Sequence, residues 1–159
     1  MNVMLPDGSA LELPDGATAL DAARAIGERL ARDAVLVRID GRAQDLRLPL
    51  TEGERIQILT TRDRDDPDAL YVLRHSAAHL LAEAVRRLYP GVKIAIGPPI
   101  ENGFYYDFEF PEAISEDDLP RIEEEIRREL SEGREWMRQE IPRDEARERF
   151  EQAQEPYKV

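Results

Sequence analysis

The sequence predicts an α+β fold in two parts. Two short apolar runs flank a Pro-Asp-Gly turn near the N-terminus, a capped amphipathic helix follows them, and a longer helical pattern begins after a wholly polar stretch at residues 61–68. In the first part, two strands, a helix and at least two further strands follow one another, which is typical of a small sheet with one helix packed across it. A chain of 159 residues with 42% hydrophobic residues is long and apolar enough to bury a core.

The first part is predicted from turn and cap signals. Thr18 followed by Asp21 resembles a capping box, and the apolar pattern after it predicts a helix that ends near Ala31. The predicted strands are residues 3–5, 10–13, 35–39 and 55–59, with turns at Pro6-Asp7-Gly8 and Asp40-Gly41. This part has no histidine and no glycine-rich phosphate loop, so we interpret it as a binding or spacer module.

A long helix is predicted to open the second part. Asp66 at the cap and Pro67 in the first turn mark its start, and Pro90-Gly91 follows its end near Leu88. At 100° per residue, one apolar stripe forms, consisting of Leu70, Leu73, Ala77, Leu80, Leu81, Ala84 and Leu88. His75 and His79 fall on nearly the opposite side, beside Val72, Ala82 and Arg86.

Short strands and two further helices are predicted after this helix. Residues 93–96 read as a strand, Gly97-Pro98-Pro99 as an extended bend and Glu101-Asn102-Gly103 as a hairpin turn. Aromatic residues then alternate with mostly acidic ones from Phe104 to Phe110, and we interpret the aromatic face as core. The remaining predicted elements are a helix with an apolar stripe from Leu119 to Leu130 that ends at Gly133, a strand over Trp136–Ile141 and a helix over 144–152.

The composition excludes several classes of protein. Acidic residues outnumber basic ones by 34 to 22, and most of the excess lies in residues 107–159. Surfaces that bind nucleic acid by themselves are basic, so only the neutral middle of the chain is open to a local phosphate site. The absence of cysteine excludes disulfides and thiolate zinc sites, and no apolar run has the length of a membrane span. We therefore expect a soluble, unsecreted, cytoplasmic protein that does not bind membranes.

Lysine is rare in this chain. Only Lys93 and Lys158 stand beside twenty arginines. A general bias towards arginine explains this most simply; the alternative is that a compact ammonium group is needed at these two positions.

Both histidines of the chain lie four residues apart on the long helix. Side chains at positions i and i+4 point towards a common spot, as a metal site or an acid–base pair requires. The alternative is two ordinary exposed histidines, because the H-x-x-x-H pattern is short. A zinc site would need further ligands that cysteine cannot supply here, so the sequence gives no support for a metal. A neutral imidazole can orient or deprotonate a water molecule near pH 7.

Several distinctive segments occur together in this chain. They are Leu-Pro-Asp-Gly near the N-terminus, His75 to Leu81, Ala95 to Pro98, Glu101 to Asp107 and Tyr157-Lys158-Val159. In this combination the chain closely resembles the N-terminal region of bacterial threonyl-tRNA synthetases. The resemblance implies a TGS domain of ubiquitin-like β-grasp fold at residues 1–61, a linker at 62–68, and the first part of an α+β editing domain, shared with alanyl-tRNA synthetases, at 69–159.

The resemblance implies a role in hydrolytic proofreading. The family attaches threonine to its tRNA using ATP and removes serine attached by mistake, because a synthetic site discriminates weakly against a smaller isostere. His75, His79 and Lys158 match three of the family's editing residues and are expected to be catalytic. We expect Gly97 and Tyr106 to bind substrate by closing the cleft that the histidines face, with Lys158 at its rim.

The family pattern also includes parts that this sequence does not contain. These are a C-x-x-x-H editing motif, the ATP-dependent catalytic core and an anticodon-binding domain, so the fragment alone is expected to be inactive. The resemblance implies ATP, Mg and Zn for the synthetic core and no cofactor or metal residue in this region. The implied partners are the acceptor end of tRNA(Thr), the remaining synthetase domains and a second subunit in a homodimer. The competing interpretation is a non-catalytic, TGS-containing module that binds a regulatory ligand or a protein.

Overall fold

The computed structural model describes residues 1–134, 137 and 139–158. These residues form two compact units, Met1–Leu73 and Arg74–Val159, which divide within the long helix. Within the described ranges, no helix combines the length and the apolar character that crossing a membrane requires.

The first unit is a sheet with a helix packed across it. Its elements are, in order, β1 (Asn2–Met4), β2 (Ala10–Glu12), α1 (Ala19–Ile26), α2 (Glu28–Asp33), β3 (Ala34–Ile39), β4 (Arg42–Gln44) and β5 (Ile56–Thr60). β1 pairs with β2 as the predicted hairpin, β3 pairs with β4 and β5, and a parallel bridge joins Met4 to Arg55 just before β5. Ala19 and Ala22 of α1 pack against Val3, Val37 and Ile56, so the predicted α+β arrangement is confirmed here.

The first helix is shorter than its apolar pattern predicts. α1 ends at Ile26, Gly27 has an extended backbone with φ 168° and ψ 142°, and α2 begins at Glu28. Glycine gains little from the helical conformation and leaves it at low cost, so the chain breaks the helix at this position.

The predicted capping box at the start of α1 is present. The Asp21 amide donates to Thr18 Oγ1 (3.2 Å), and the Thr18 amide donates to Asp21 Oδ2 (2.9 Å). We expect Thr18→Ala to lower the free energy of unfolding in urea by about 1 kcal/mol, because it leaves a helix N–H without its acceptor. Thr51→Ala, at an exposed turn position, is the matched control and should stay within about 0.5 kcal/mol. Equal effects of the two substitutions would contradict the prediction.

The second unit contains most of α3 and the elements after it. α3 (Pro67–Leu88) is followed by β6 (Lys93–Ile94), β7 (Pro99–Ile100), β8 (Gly103–Phe104), β9 (Phe108–Glu109), α4 (Leu119–Glu132), α5 (Arg143–Gln152) and a 3₁₀ turn at Pro156–Lys158. β6 pairs with β9, and β7 with β8 around the predicted hairpin turn. In the predicted strand Trp136–Ile141, residues 136 and 138 lie outside the described residues, and 137 and 139–141 are not in a strand.

The buried side of α3 differs from the predicted stripe. Ala84 of the stripe is fully buried, and Leu81 and Leu88 of the stripe pack against the second core. Ala78, Ala82 and Val85, which lie outside the stripe, are buried as well, whereas Leu73 and Leu80 of the stripe are partly exposed. Ala82 and Val85 pack against Ile94 and Ile122 of the second core. The small alanines allow close approach of neighbouring elements, so the core of this unit extends from the predicted stripe towards the histidine side of α3.

The aromatic alternation after the hairpin is confirmed. Phe104, Tyr106, Phe108 and Phe110 are partly buried, and the residues between them are exposed. The Tyr106 and Phe108 rings stack with centroids 4.8 Å apart, and those of Phe108 and Phe110 lie 5.6 Å apart. Only parts of this segment pair as strands, but its side chains keep the two-residue period and face the core.

Candidate functional site

A cavity of about 720 Å³ lies in the second unit, next to the histidine side of α3. His79 and Arg86 of α3, Tyr106 and Lys158 contribute to its wall, together with Glu129 of α4. The cavity therefore gathers side chains from well-separated parts of the sequence around one imidazole.

The two histidines form a pair, as their spacing on one helix predicts. Nε2 of His79 lies 3.0 Å from Nε2 of His75, and the ring centroids are 4.7 Å apart. A hydrogen bond between two ring nitrogens needs one N–H and one lone pair, so at least one imidazole of the bonded pair is neutral. While this bond is present, one ring nitrogen of the pair is therefore unprotonated.

The surroundings of His79 disfavour its charged form. Partial burial lowers the pKa of His79 most, and the charges of His75 and Lys158 lower it further. His79 is therefore neutral at pH 7. The other charged residues that line the cavity with His79 and Lys158 are Glu83, Arg86, Glu129, Arg134 and Glu155.

We expect His79 to titrate below the ordinary pKa of a histidine. Because the folded state holds this proton more weakly than the unfolded state, this group destabilises the fold as the pH falls below 6.5 and has no effect above it. NMR titration of the imidazole protons measures the pKa directly, and since the chain has only two histidines, His75→Gln assigns the remaining signal. A pKa at or above the ordinary value would contradict the described environment.

Lys158 reaches the site from the 3₁₀ turn near the end of the chain. Its Nζ donates to the carbonyl oxygen of Ala95 at 2.7 Å. An ammonium has three N–H donors, so this contact leaves donors for a further acceptor. The group can therefore stabilise negative charge close to His79.

Gly97 and Tyr106 are in direct contact. A Cβ on Gly97 would lie 2.0 Å from Cδ2 of Tyr106, so only glycine allows the ring to pack on this backbone. Burial and, to a smaller extent, the charge of Glu155 raise the pKa of the Tyr106 phenol. Tyr106 therefore presents a neutral hydroxyl-bearing ring to the cavity, while Gly97 packs behind that ring.

A buried carboxylate on α4 also lines the cavity. Glu129 is 4% exposed, and burial raises its pKa. Arg87 Nε lies 3.2 Å from Glu129 Oε1, yet within the described residues neither carboxylate oxygen accepts a hydrogen bond in good geometry. Arg87 also pairs with Glu83 and Glu125, so it ties α4 to α3 beside the cavity. Glu129 was not predicted as a site residue. It lies seven residues after Ile122, at the edge of the apolar stripe of α4, but a glutamate at such a position is usually solvated.

The predicted site residues come together to different degrees. His79, Tyr106 and Lys158 line the same cavity, whereas His75 joins them through His79 and Gly97 through Tyr106. Their catalytic and substrate-binding roles stay predictions. Over the described ranges, no group of three or more histidine, aspartate or glutamate side chains is placed to hold a metal ion.

Comparison with known proteins gives one family and one set of relatives. Residues 1–60 match the TGS domain family. The threonine--tRNA ligase of Rubrobacter xylanophilus is 48% identical over 157 residues, covering 99% of this chain and 24% of that protein. Those of Caulobacter sp. and Anoxybacillus flavithermus are 45% and 42% identical, each covering 100% of this chain and 24% of the relative. The chain thus spans about a quarter of the length of the curated relatives that it matches.

Proposed function

We propose that this chain, which carries a TGS domain and belongs over its whole length with the N-terminal region of threonine--tRNA ligases, contributes to the hydrolytic editing of mischarged seryl-tRNA(Thr). The complete ligase would attach threonine to tRNA(Thr) with ATP, using Mg and Zn in domains outside this chain. It would act in the cytoplasm as a homodimer, and the acceptor end of the tRNA would reach the cavity of the second unit. We also propose that the TGS domain spans residues 1–61 and that the editing part spans residues 69–159.

The observation that carries the proposal is the shared cavity of His79, Tyr106 and Lys158. Hydrolysis of an aminoacyl ester needs a water molecule, a proton acceptor and a group that stabilises the oxyanion. A neutral imidazole of the histidine pair takes the proton as the water oxygen attacks the ester carbonyl. The Lys158 ammonium stabilises the charge that develops on the carbonyl oxygen. The proton then passes to the ribose oxygen as the ester bond breaks, which releases serine.

Gly97 and Tyr106 would shape the wall against which the substrate lies. The packing of the Tyr106 ring on the Gly97 backbone and on Phe108 fixes the ring in place. A fixed wall limits the orientations of the bound ester, which increases the fraction that is correctly placed for attack.

The test is a chimera in which residues 1–158 replace the matching region of the Rubrobacter xylanophilus ligase. We expect the chimera to hydrolyse seryl-tRNA(Thr) and the 159-residue chain alone to leave it intact. Threonylation of tRNA(Thr) by the same chimera reports whether it is folded. A chimera that threonylates normally but does not hydrolyse seryl-tRNA(Thr) would overturn the editing proposal.

A chimera that threonylates normally but does not hydrolyse seryl-tRNA(Thr) would favour the interpretation as a binding module. One observation favours a binding module. The TGS match covers residues 1–60, and none of these residues lines the cavity. A TGS module would then contribute contacts to a ligand or another protein, and the histidine pair would have no part in hydrolysis.

A further inference from the structure

Two neighbouring residues, Tyr157 and Lys158, bind the last described turn of the chain to the β6–β9 strand pair. The hydroxyl of Tyr157 donates to Glu109 Oε2 (2.5 Å), and Lys158 Nζ donates to the carbonyl oxygen of Ala95 (2.7 Å). Glu109 lies on β9, and Ala95 directly follows β6, its partner strand. Ala95 is tied to the opposite strand by its amide, which donates to the Asp107 carbonyl oxygen at 3.1 Å. The turn at Pro156–Lys158 is thus held by two hydrogen bonds to the β6–β9 strand pair and the residue that follows β6.

Glu109 connects two other residues of this arrangement, Lys93 and Tyr157. Its Oε1 accepts from Lys93 Nζ, which lies directly across the strand pair, while its Oε2 accepts from Tyr157. Hydrogen bonds from Lys93 and then Tyr157 lower the pKa of Glu109, and the bond to Glu109 raises the pKa of Tyr157. Glu109 is therefore ionised and the phenol protonated at neutral pH, which is the state in which the phenol donates.

Lys158 needs such a fixed position more than most charged residues. Its side chain is long and exposed, and it sits in a three-residue turn close to the end of the described chain. Ordering a long, exposed lysine side chain costs conformational entropy, so its ammonium stays in one place only where contacts hold it. The anchor at Tyr157 supplies that hold one residue before the ammonium.

We propose that Glu109, braced by Lys93, is a positioning residue that holds Tyr157 and thereby places the Lys158 ammonium beside His79. The proposal rests on the editing function proposed above for what the placement is used for, but the placement itself is independent of it. Both lysines of the chain belong to this arrangement, which explains their identity better than a bias in composition does. Lys93 gives Glu109 a compact cross-strand partner, and Lys158 supplies the ammonium of the site.

The test of the placement is an NMR titration of the two histidines in the 159-residue chain. Lys158→Met is the reference and should raise the pKa of His79, because it removes a nearby positive charge. Tyr157→Phe changes no charge, so a shift of His79 in the same direction reports displacement of the ammonium. Tyr105→Phe, at an exposed tyrosine of the same segment as the site, is the matched control and should leave the titration of His79 unchanged.

Glu109→Gln makes the test sharper, because its direct and indirect effects on the pKa of His79 have opposite signs. Loss of a carboxylate acts directly on a histidine by lowering its pKa, whereas release of Lys158 raises it. We expect the pKa of His79 to rise in Glu109→Gln, by less than in Lys158→Met. A His79 titration unchanged in Tyr157→Phe, or a lower pKa in Glu109→Gln, would overturn the placement.

Activity in the chimera separates this proposal from the editing function. Tyr157→Phe should lower kcat for seryl-tRNA(Thr) hydrolysis by about 10-fold with little change in KM, since the oxyanion contact is lost in the transition state. A chimera without hydrolysis, combined with the expected shifts of His79, would reject the editing function and leave the placement intact. Normal hydrolysis in Tyr157→Phe, with an unshifted His79, would reject the placement and leave editing intact.

Discussion

His79→Ala is expected to lower the rate of seryl-tRNA(Thr) hydrolysis by the chimera by about 100-fold, the usual loss when a positioned proton acceptor is removed. His79 lines the cavity, is neutral at pH 7 and lies near the Lys158 charge. His75 bonds to His79 through its Nε2, so His75→Ala should also reduce the rate, by breaking the pair. Single-turnover hydrolysis of seryl-tRNA(Thr) measures both effects.

One control for this prediction measures the rate of hydrolysis, and the other measures the stability of the chain. Ser76→Ala alters an exposed residue of the same helix turn and should leave hydrolysis unchanged. Much of the His79 side chain remains exposed although it is partly buried, so its replacement should change the urea midpoint of the chain little. If His79→Ala and Ser76→Ala hydrolyse at equal rates, the histidine pair is not the proton acceptor.

The second large effect is expected from Gly97→Ala, which should lower the free energy of unfolding by about 1–3 kcal/mol through overpacking. The new Cβ would lie 2.0 Å from Cδ2 and 2.4 Å from Cε2 of Tyr106, and the ring is stacked against Phe108. Either the ring or the backbone of the bend must move. Because the same ring lines the cavity, hydrolysis by the chimera should fall as well.

Gly27→Ala is the matched control for this substitution. A Cβ at Gly27 meets no atom within 4 Å, and its φ of 168° is extended backbone that alanine adopts freely. We expect a change within about 0.5 kcal/mol there, with a gain as the expected sign, because alanine restricts the unfolded chain. A double-mutant cycle with Tyr106→Ala should show coupling between residues 97 and 106, and additive effects would contradict the close contact.

Local signals account for most of the fold that the sequence predicted. The capping box of Thr18 and Asp21, the start of α3 at Pro67 and the hairpin turn before Phe104 depend on residues within a few positions of one another. The period-two pattern of the aromatic segment is also local, because the alternation of faces follows from the extended backbone itself. The break of the first helix at Gly27 was not predicted, since glycine inside a helical pattern is often tolerated.

The core-facing side of α3 shows where sequence patterns are insufficient. The largest apolar residues predicted the stripe through Leu73 and Leu80, but these two are partly exposed, and Ala78, Ala82 and Val85 outside the stripe are buried. Which side of a helix faces a core depends on the shape of the elements that pack on it. Small residues are chosen where the backbones come close, and hydrophobicity alone does not reveal this.

By itself, the sequence determined the two-part α+β organisation, the pairing of His75 with His79 and the glycine bend next to an aromatic segment, because each depends on spacing along a single element. Only the tertiary structure decided that Lys158 and Tyr106 line one cavity with His79, that Glu129 is buried beside it, and that Glu109 holds Tyr157. These contacts join residues far apart in the chain. They depend on the packing of α4 and the final turn against α3 and the β6–β9 pair, which no local pattern records.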